Sequence, residues 1–527
     1  MNFKEDIDRH IIREVGQAAD WLGQPTYIIG GYVRDLFLKR RSPDLDFVTV
    51  GSGEELARTV ARRLGRGAKV SVFATYGTAQ VKYRGMELEF VGARRESYNF
   101  DSRNPVVEEG SLADDQARRD FTINILALSV NQDTFGDLED PYNGLIDLYN
   151  KVLRTPLDPD ITFSDDPLRM MRAIRFASQL QFTIEPETLE AIKRNANRIT
   201  IITRERINTE LDKILLSRKP SIGLKLLDET GLLEIIFPEL LALKGVETRE
   251  GRGHKDNFAH TLQVVDNIAQ VSDLLWLRWA ALLHDIAKPV TKQYSPETGW
   301  TFRNHNFIGE KMVERLFKKM RMPMNVKMKY VAKLVGLHMR PQQIGEEGVS
   351  DSGVRRLIAD AGDPDDLNDL MLLAEADLTS KNPVKVRRVL TTFSKLRRRL
   401  AHIRREDARR EAPALINGNE IMETFGLGTC PLLGEVKEAI NKKVEEEHLD
   451  HSGAFDYMLE IAPQYGLTPA GDVEELKAHF ESRNAEREAH RRALEEQAAE
   501  LKRQRDAELG RTVVRHAVTA DNTGPAL

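Results

Sequence analysis

The chain has 527 residues, of which 30% are charged and 41% hydrophobic, with a formal net charge of −5. That length supports several domains around sizeable cores, and the balance is that of an ordinary soluble protein. A net-negative chain excludes global attraction to nucleic acid, so such a partner must be met by local basic patches; the single cysteine, Cys430, excludes an intrachain disulfide and a cysteine-based zinc finger and fits a reducing cytoplasm.

The first residues, MNFKEDIDRHIIREV, are charged throughout and hold no apolar signal segment. No run reaches the ~18 apolar residues of a membrane span. A cytoplasmic protein with no membrane partner is expected. Residues 3–22 read as an amphipathic helix. The stretch YIIGGYVRDLFLKRRSPDLDFVTV follows, from Tyr27 to Val50. It predicts a strand at Tyr27, a turn at Gly30-Gly31, a helix from Tyr32 to about Lys39, and a second strand from Leu45. Asp44 and Asp46 are two apart, so on a strand both carboxylates leave one face, roughly 7 Å apart at Cα. Two such carboxylates repel unless a cation sits between them, and hard oxygen ligands suit Mg²⁺ with substrate phosphates. The glycines let backbone approach a phosphate, and the following helix start adds N–H donors.

Glu54 to Leu64 predicts a helix. Ala68 to Glu89 alternates as β-hairpin material. Glu89 is a candidate third carboxylate beside Asp44 and Asp46; an exposed strand glutamate is the alternative. Residues 98–116 read as a flexible loop. It ends at RRDFTINILAL, Arg118 to Leu128, where two arginines precede an expected apolar helix and match phosphate oxygens bidentately. DPYNGLIDLYNKVLRT, Asp140 to Thr155, opens with turn chemistry. From Asp165 strand patterns give way to helices. SDDPLRMMRAIRF starts one with Ser164 as expected cap and Pro167 in the first turn; Asp166 and Arg169, three apart, are expected on one face. ERINTELDKILL, Glu205 to Leu216, is another amphipathic helix.

Residues 254–380 gather His254, His260, His284, Asp285, His305, His338 and Asp377 in helical context. Imidazole and carboxylate on neighbouring helices make a divalent-metal site. Residues 311–340 hold nine Lys/Arg and one Glu, and residues 381–410 hold twelve and two acids, including Arg397, Arg398 and Arg399. Such density on a net-negative chain points to RNA phosphate; an exposed helix face is the alternative. Residues 413–462 carry tight-turn glycines at Gly426, Gly428 and Gly434. Val473 to Leu509 is Glu/Arg/Ala-rich with no glycine or proline and predicts a long solvated helix, and the last ~17 residues read as disordered.

The string GGYVRD followed by DLD resembles the signature of polymerase-beta-like nucleotidyltransferases. More narrowly it resembles the bacterial CCA-adding tRNA nucleotidyltransferases and poly(A) polymerases. On this resemblance Asp44 and Asp46 are the catalytic metal ligands. Gly30, Gly31, Arg34, Arg119, Asp120, Asn124, Asp166, Arg169 and Arg172 handle the nucleotide. RRDFTIN resembles the second motif of the family, Asp147 and Arg154 the third, SDDPLR its base-reading motif and ERINTELDKILL its fifth. Asp165 stands where the family has glutamate, which puts any role for it in doubt. HTLQVVDN, LLHDIAKP and HNFIGEKM resemble the HD phosphohydrolases, which implies a second divalent metal on His260, His284, Asp285 and Asp377.

The expected fold class is α+β. A small mixed-sheet nucleotidyltransferase head (1–155) precedes an all-helical neck (156–245) and an HD body (246–400). A helical RNA-binding segment (401–470), a long charged helix (471–510) and a disordered tail (511–527) follow. The expected function is template-independent addition of CCA to the tRNA 3′ end from CTP and ATP, with Mg²⁺. The alternatives are a poly(A) polymerase of the same fold, an HD phosphohydrolase acting on RNA-end or nucleotide phosphoesters, and a non-catalytic RNA binder, against which the intact Asp44 and Asp46 argue.

Cytosine and adenine both present an amino donor beside a ring-nitrogen acceptor, whereas uracil and guanine present a carbonyl beside a ring N–H. An aspartate only accepts and an arginine only donates. Asp166 and Arg169 facing the base would therefore satisfy CTP and ATP and reject UTP and GTP.

Overall fold

A computed structural model of the chain describes residues 1–511, except 43, 74–76, 98–105, 346–348, 381 and 412–413. These pack as two compact units, one of residues 1–339 with 365–386, the other of residues 340–364 with 387 onward.

In the first unit the expected opening helix is broken at Asp8-Arg9 into Lys4–Ile7 and His10–Leu22. The first nine strands of this unit follow: β1 (Thr26–Ile29), β2 (Asp44–Thr49), β3 (Lys69–Phe73), β4 (Thr78–Tyr83), β5 (Met86–Gly92), β6 (Arg94–Ser97), β7 (Val106–Glu109), β8 (Ala127–Ser129) and β9 (Leu138–Glu139). Seven form one sheet in the order β3-β4-β5-β2-β1-β8-β9, and β6 pairs with β7. The β2–β5 pair is parallel and its neighbours are antiparallel, so the sheet is mixed. Leu45 and Phe47 point into the core, where Phe47 stacks on Phe90 at 5.2 Å. Period two then turns Asp44 and Asp46 to the opposite face.

RRDFTINILAL is not an apolar helix: Thr122–Asn124 is a short 3₁₀ turn and Ala127–Ser129 is β8. The run is apolar all round because β8 lies inside the sheet, buried on both faces, and periodicity cannot separate a short buried strand from a helix. Residues 98–116 are not loop throughout. Residues 98–105 lie outside the described residues, but β7 pairs with β6, and Leu112–Ala117 is a helix with a Ser111–Asp114 capping box. Strands also do not end at Asp165. Val152–Leu153 pairs with Thr183–Ile184, and two hairpins join Thr248–Arg249 to Arg252–Gly253 and Gln293–Ser295 to Gly299–Thr301. Ladders of two or three residues are too short for a period to show.

Helices otherwise fill the rest. Pro159–Asp165, Leu168–Leu180 and Arg204–Leu215 follow the sheet, and Asn257–Val271, Leu275–Leu283, His305–Lys319 and Val326–Leu337 carry the histidines. In the second unit Ile416, Ile421, Phe425, Ile440, Phe455, Met458 and Phe480 share one core. Phe480 belongs to the helix Val473–Leu509 and meets Phe455 at 5.9 Å between ring centroids. The middle of that helix is exposed, as its charged composition requires. The tail from 512 lies outside the described residues. Among the described residues no helix is long and apolar enough to cross a membrane.

Candidate functional site

Strand β1 ends at Ile29 and is followed by Gly30, whose φ of 80° and ψ of −138° only glycine adopts without strain. A Cβ there would stand 3.5 Å from Arg119 Nη1 and 3.6 Å from Asp46 Oδ2. A guanidinium and a carboxylate from distant parts of the chain therefore meet over one bare backbone turn. Asp44 is exposed, and Asp46 is half-buried between it and Glu89, its register partner on β5. Burial, then the Glu89 carboxylate, raise Asp46 to about 6; Arg119 opposes this and Asp44 adds to it. Three carboxylates with one nearby guanidinium form an anionic, oxygen-only donor set that suits a hard divalent cation.

Arg119 is held from behind. Asp115 is fully buried and accepts from Arg119 Nε at 2.9 Å, while its other oxygen takes Arg118. Burial raises the Asp115 carboxyl, but Arg119 and Arg118 bring it below its ordinary value. The loop expectation hid this residue. Its only sequence signal is the capping box that starts its helix.

Arg34 pairs with Asp35 at 2.9 Å and donates to Asn124 Oδ1 at 2.9 Å. Asn124 donates to Asp120 Oδ1 at 3.0 Å, and Asp120 Oδ2 accepts from Arg172 Nε at 2.7 Å. Burial would raise Asp120; Arg172 and Asn124 carry it down to about 2. Phe176 lies under Arg34, Arg172 and Arg175, with Arg175 only 4.0 Å from its ring centroid. Arg175 in turn pairs with buried Glu210 at 2.8 Å, so the helix Arg204–Leu215 supports the network from outside. Asp147 accepts from Thr122 Oγ1 at 2.7 Å and pairs with Arg154, fixing the 3₁₀ turn against the helix Gly144–Asn150. A Cβ at Gly144 would strike Thr122 O at 2.2 Å.

Asp166 and Arg169 do not share a helix face. The residue before a proline is pushed out of the helical region, and Asp166 takes φ −134°, ψ 97° at the break between Pro159–Asp165 and Leu168–Leu180. Ser164 lies inside the first helix and is not a cap; the Asp158 side chain caps that helix instead. Asp166 accepts from Leu168 N at 3.1 Å and faces Arg206 at 3.5 Å. Arg169, nearly buried, donates to Thr162 O at 3.3 Å and to Arg118 O at 2.5 Å. It thus ties the break between the two helices to the backbone of the Arg118-Arg119 pair.

A second cluster lies among the histidine helices. His284, His305 and His338 each turn Nδ1 to the carbonyl three residues back, at 2.8, 2.8 and 2.7 Å. Each Nε2 is left facing inward, the arrangement that orients metal-binding imidazoles. His260, His284 and Asp285 form one group able to hold an ion, and Asp285, His305 and His338 form another. Asp377 joins the first, 2.8 Å from His260 Nε2. Lys288 stands 2.6 Å from Asp285 Oδ2. Burial lowers His338 to about 4, aided by His284; burial would lower His284 too, but the Asp285 and Asp377 carboxylates outweigh it and raise it to about 10. His254 lies outside this cluster: its Nδ1 bonds Lys255 O, its Nε2 accepts from Glu247 N, and its ring packs on Trp300 and Phe302.

Of the basic triplet, Arg398 is exposed, while Arg397 and Arg399 are half-buried. Arg399 is committed to Asp351 and to Val349 O at 2.7 Å.

Residues 26–154 match the family described as "Poly A polymerase head domain", residues 181–243 "Probable RNA and SrmB- binding site of polymerase A", and residues 257–381 "HD domain". The chain is 34% identical over 306 residues to a multifunctional CCA protein of Shewanella frigidimarina, covering 56% of this chain and 70% of that one. It is 31% identical over 423 residues to an A-adding tRNA nucleotidyltransferase of Deinococcus radiodurans, covering 78% and 90%. A 46% match to an A-adding tRNA nucleotidyltransferase of Aquifex aeolicus covers 32% of this chain and 20% of that one. Among solved structures, a tRNA nucleotidyltransferase complexed with a primer tRNA and an incoming ATP analog aligns with a TM-score of 0.52 at 27% identity, over 73% of this chain and 98% of that one.

Proposed function

The chain belongs to the CCA-adding and A-adding tRNA nucleotidyltransferase family, and on that premise we propose that it extends the 3′ end of tRNA with CTP and ATP, without a nucleic-acid template. The observation that carries this is the meeting of Asp46 and Arg119 over Gly30. Asp44 and Asp46, with Glu89 beside them, would hold Mg²⁺, which lowers the pKa of an attacking hydroxyl and neutralises triphosphate charge. Arg119, fixed by Asp115, faces the phosphates, and Arg34, Asn124, Asp120 and Arg172 form a pre-bonded platform for triphosphate and ribose. The RNA 3′-hydroxyl attacks the α-phosphorus in line and pyrophosphate leaves. The named relatives favour tRNA over a poly(A) product. The single cysteine fits a cytoplasmic enzyme.

The test supplies purified protein with tRNA lacking CCA and each triphosphate in turn. Growth by C and A, and not by U and G, is expected. Unlimited growth with ATP alone would support the poly(A) alternative.

A second activity is favoured by one specific feature, the convergence of four imidazoles on Asp285. This cluster would hold a divalent metal and hydrolyse phosphoesters independently of the head. His284→Ala and Asp285→Ala should remove bound metal by elemental analysis and abolish hydrolysis. A metal-loaded parent that cleaves no phosphomonoester or 2′,3′-cyclic phosphate would leave the cluster an architectural role.

A further inference from the structure

Two short hairpins stand beside the histidine cluster, Thr248–Arg249 with Arg252–Gly253 and Gln293–Ser295 with Gly299–Thr301. A lone two-stranded hairpin is marginal in water, and here the two are joined. Trp300 Nε1 donates to Arg252 O at 3.0 Å, and the Tyr294 hydroxyl donates to Glu250 at 2.7 Å. The join lines up four rings. Tyr294 and Trp300 are register partners with centroids 5.1 Å apart. His254 lies 5.4 Å from Trp300 and 5.8 Å from Phe302. Both nitrogens of His254 are taken by backbone, which fixes its ring as a spacer. Each of the other rings carries a cation: Arg249 at 4.9 Å on Tyr294, Lys292 at 5.2 Å on Trp300 and Lys288 at 5.7 Å on Phe302. The inner end of the row reaches the histidine cluster. Lys288 is the side chain that meets Asp285, and Phe302 O accepts from His305 Nδ1. Tyr294, Trp300 and Phe302 are half-buried, and Arg249 at the outer end is exposed.

We propose that this row is a binding track for an unpaired RNA end, with bases on the rings and phosphates on the cations, and that it leads the terminal phosphate to the histidine cluster. An alternation of ring and cation is what a single strand requires, because each base has a face to stack and each link carries a charge. A duplex hides its base faces and is gripped through phosphate and shape, so the rings would add nothing to it. Hairpin packing alone calls for the rings and not for the cations. Arg249 makes no ion pair among the described residues and lies against Tyr294. A simple phosphomonoester needs only Lys288 and the cluster, whereas Trp300 and Tyr294 lie further along the row. The proposal rests on the reading of the cluster as a phosphoester site and names its substrate class, an oligonucleotide end in preference to a free phosphomonoester or a mononucleotide.

Binding by the full-length chain in the presence of a chelator tests this apart from hydrolysis. The probe is an unstructured RNA hexamer with a 3′-phosphate, which offers the head no hydroxyl to extend. Trp300→Ala combined with Tyr294→Ala should weaken hexamer binding by about ten- to a hundredfold, and Trp300→Phe, which keeps a ring, by less than about threefold. Arg249→Gln should weaken it and flatten the slope of log affinity against log salt by about one. The hexamer should quench tryptophan fluorescence in the parent and much less in Trp300→Phe. Affinity for a blunt RNA hairpin should change less than about twofold in every variant. Abasic sugars in place of the hexamer bases should weaken binding to the parent at least about tenfold, a measurement that needs no variant to fold. Unchanged hexamer affinity in a double variant that keeps its circular dichroism, or no penalty for abasic sugars, would overturn the proposal and leave the rings as hairpin packing. An equal loss for the hairpin would overturn the single-strand assignment. Ring-dependent hexamer binding in a protein that, once loaded with metal, hydrolyses no phosphoester would uphold the track and strike the hydrolytic reading of the cluster instead.

Discussion

Glu89 is the register partner of Asp46 across the parallel pair β2–β5, so each carboxylate is aligned with the other without sharing an element. With Asp44 two residues away, the donor set is spread over two hydrogen-bonded strands. Asp46→Ala or Asp44→Ala should lower nucleotide incorporation by roughly a thousandfold or more, since several kcal/mol of charge stabilisation goes with a metal ligand. Glu89→Gln keeps the shape and should lower incorporation less, by about ten- to a hundredfold. tRNA affinity should hold within about threefold in all three. Incorporation at parent rates in the Asp44/Asp46 double alanine variant rules the site out.

Asp115 touches no substrate on this account and acts through Arg118 and Arg119. Asp115→Asn should raise the KM for nucleotide by about tenfold, with a smaller change in kcat, because a neutral amide releases the guanidiniums without emptying the space. Asp115→Glu should recover part of the loss. A variant that loses thermal stability but keeps the parent KM would mean that the pair is only structural.

Selection between bases should turn on Asp166 more cleanly than on Arg169. Asp166→Asn adds a donor where the carboxylate only accepts, so U and G incorporation should rise relative to C and A. Mismatched buried polar groups cost roughly 1–3 kcal/mol each, which sets the expected change at about ten- to a hundredfold. Arg169→Ala also frees the carbonyls of Thr162 and Arg118, so it should depress incorporation of every nucleotide. Single-nucleotide assays with all four triphosphates decide this, and an unchanged C and A preference in Asp166→Asn would place selection elsewhere.

Stability should carry a pH signature from Asp212. Trp279 Nε1 donates to it at 2.7 Å, yet burial still raises it to about 6. The folded chain therefore keeps a proton that the unfolded chain releases near 4. This contribution is complete below pH 4 and is lost as pH rises through 6. Asp212→Asn retains an acceptor and removes the charge. Relative to the parent it should gain about 1–2 kcal/mol between pH 5 and pH 7.5 in denaturant unfolding followed by tryptophan fluorescence. An equal difference at both pH values would refute the assignment.

The readable parts of the sequence were those with a local reason. Gly30 and the Asp44/Asp46 pair announce themselves because a turn and a two-residue strand period are fixed by neighbours. Histidines scattered from 260 to 338 were legible as a set, because an imidazole-carboxylate group on helices is rare without metal. What stayed hidden depended on distant partners. Arg119 takes its position from Asp115, in a segment that reads as loop, and Phe176 is one apolar residue in an amphipathic helix until three arginines are seen over it. Asp166 shows the opposite error. A spacing of three implied a shared face, but Pro167 between the two residues breaks the helix that the spacing assumed.

Phe480 has a bearing on how the second unit is born. Ile421, Phe425, Ile440 and Phe455 are made first and cannot close their core until the ring of Phe480 arrives from the next helix. During synthesis at roughly 5–20 residues per second, the nascent segment waits with an open apolar face until residue 480 clears the ribosome. A nonsense codon between 467 and 480 should therefore yield not a shortened enzyme but a client for chaperones and proteases.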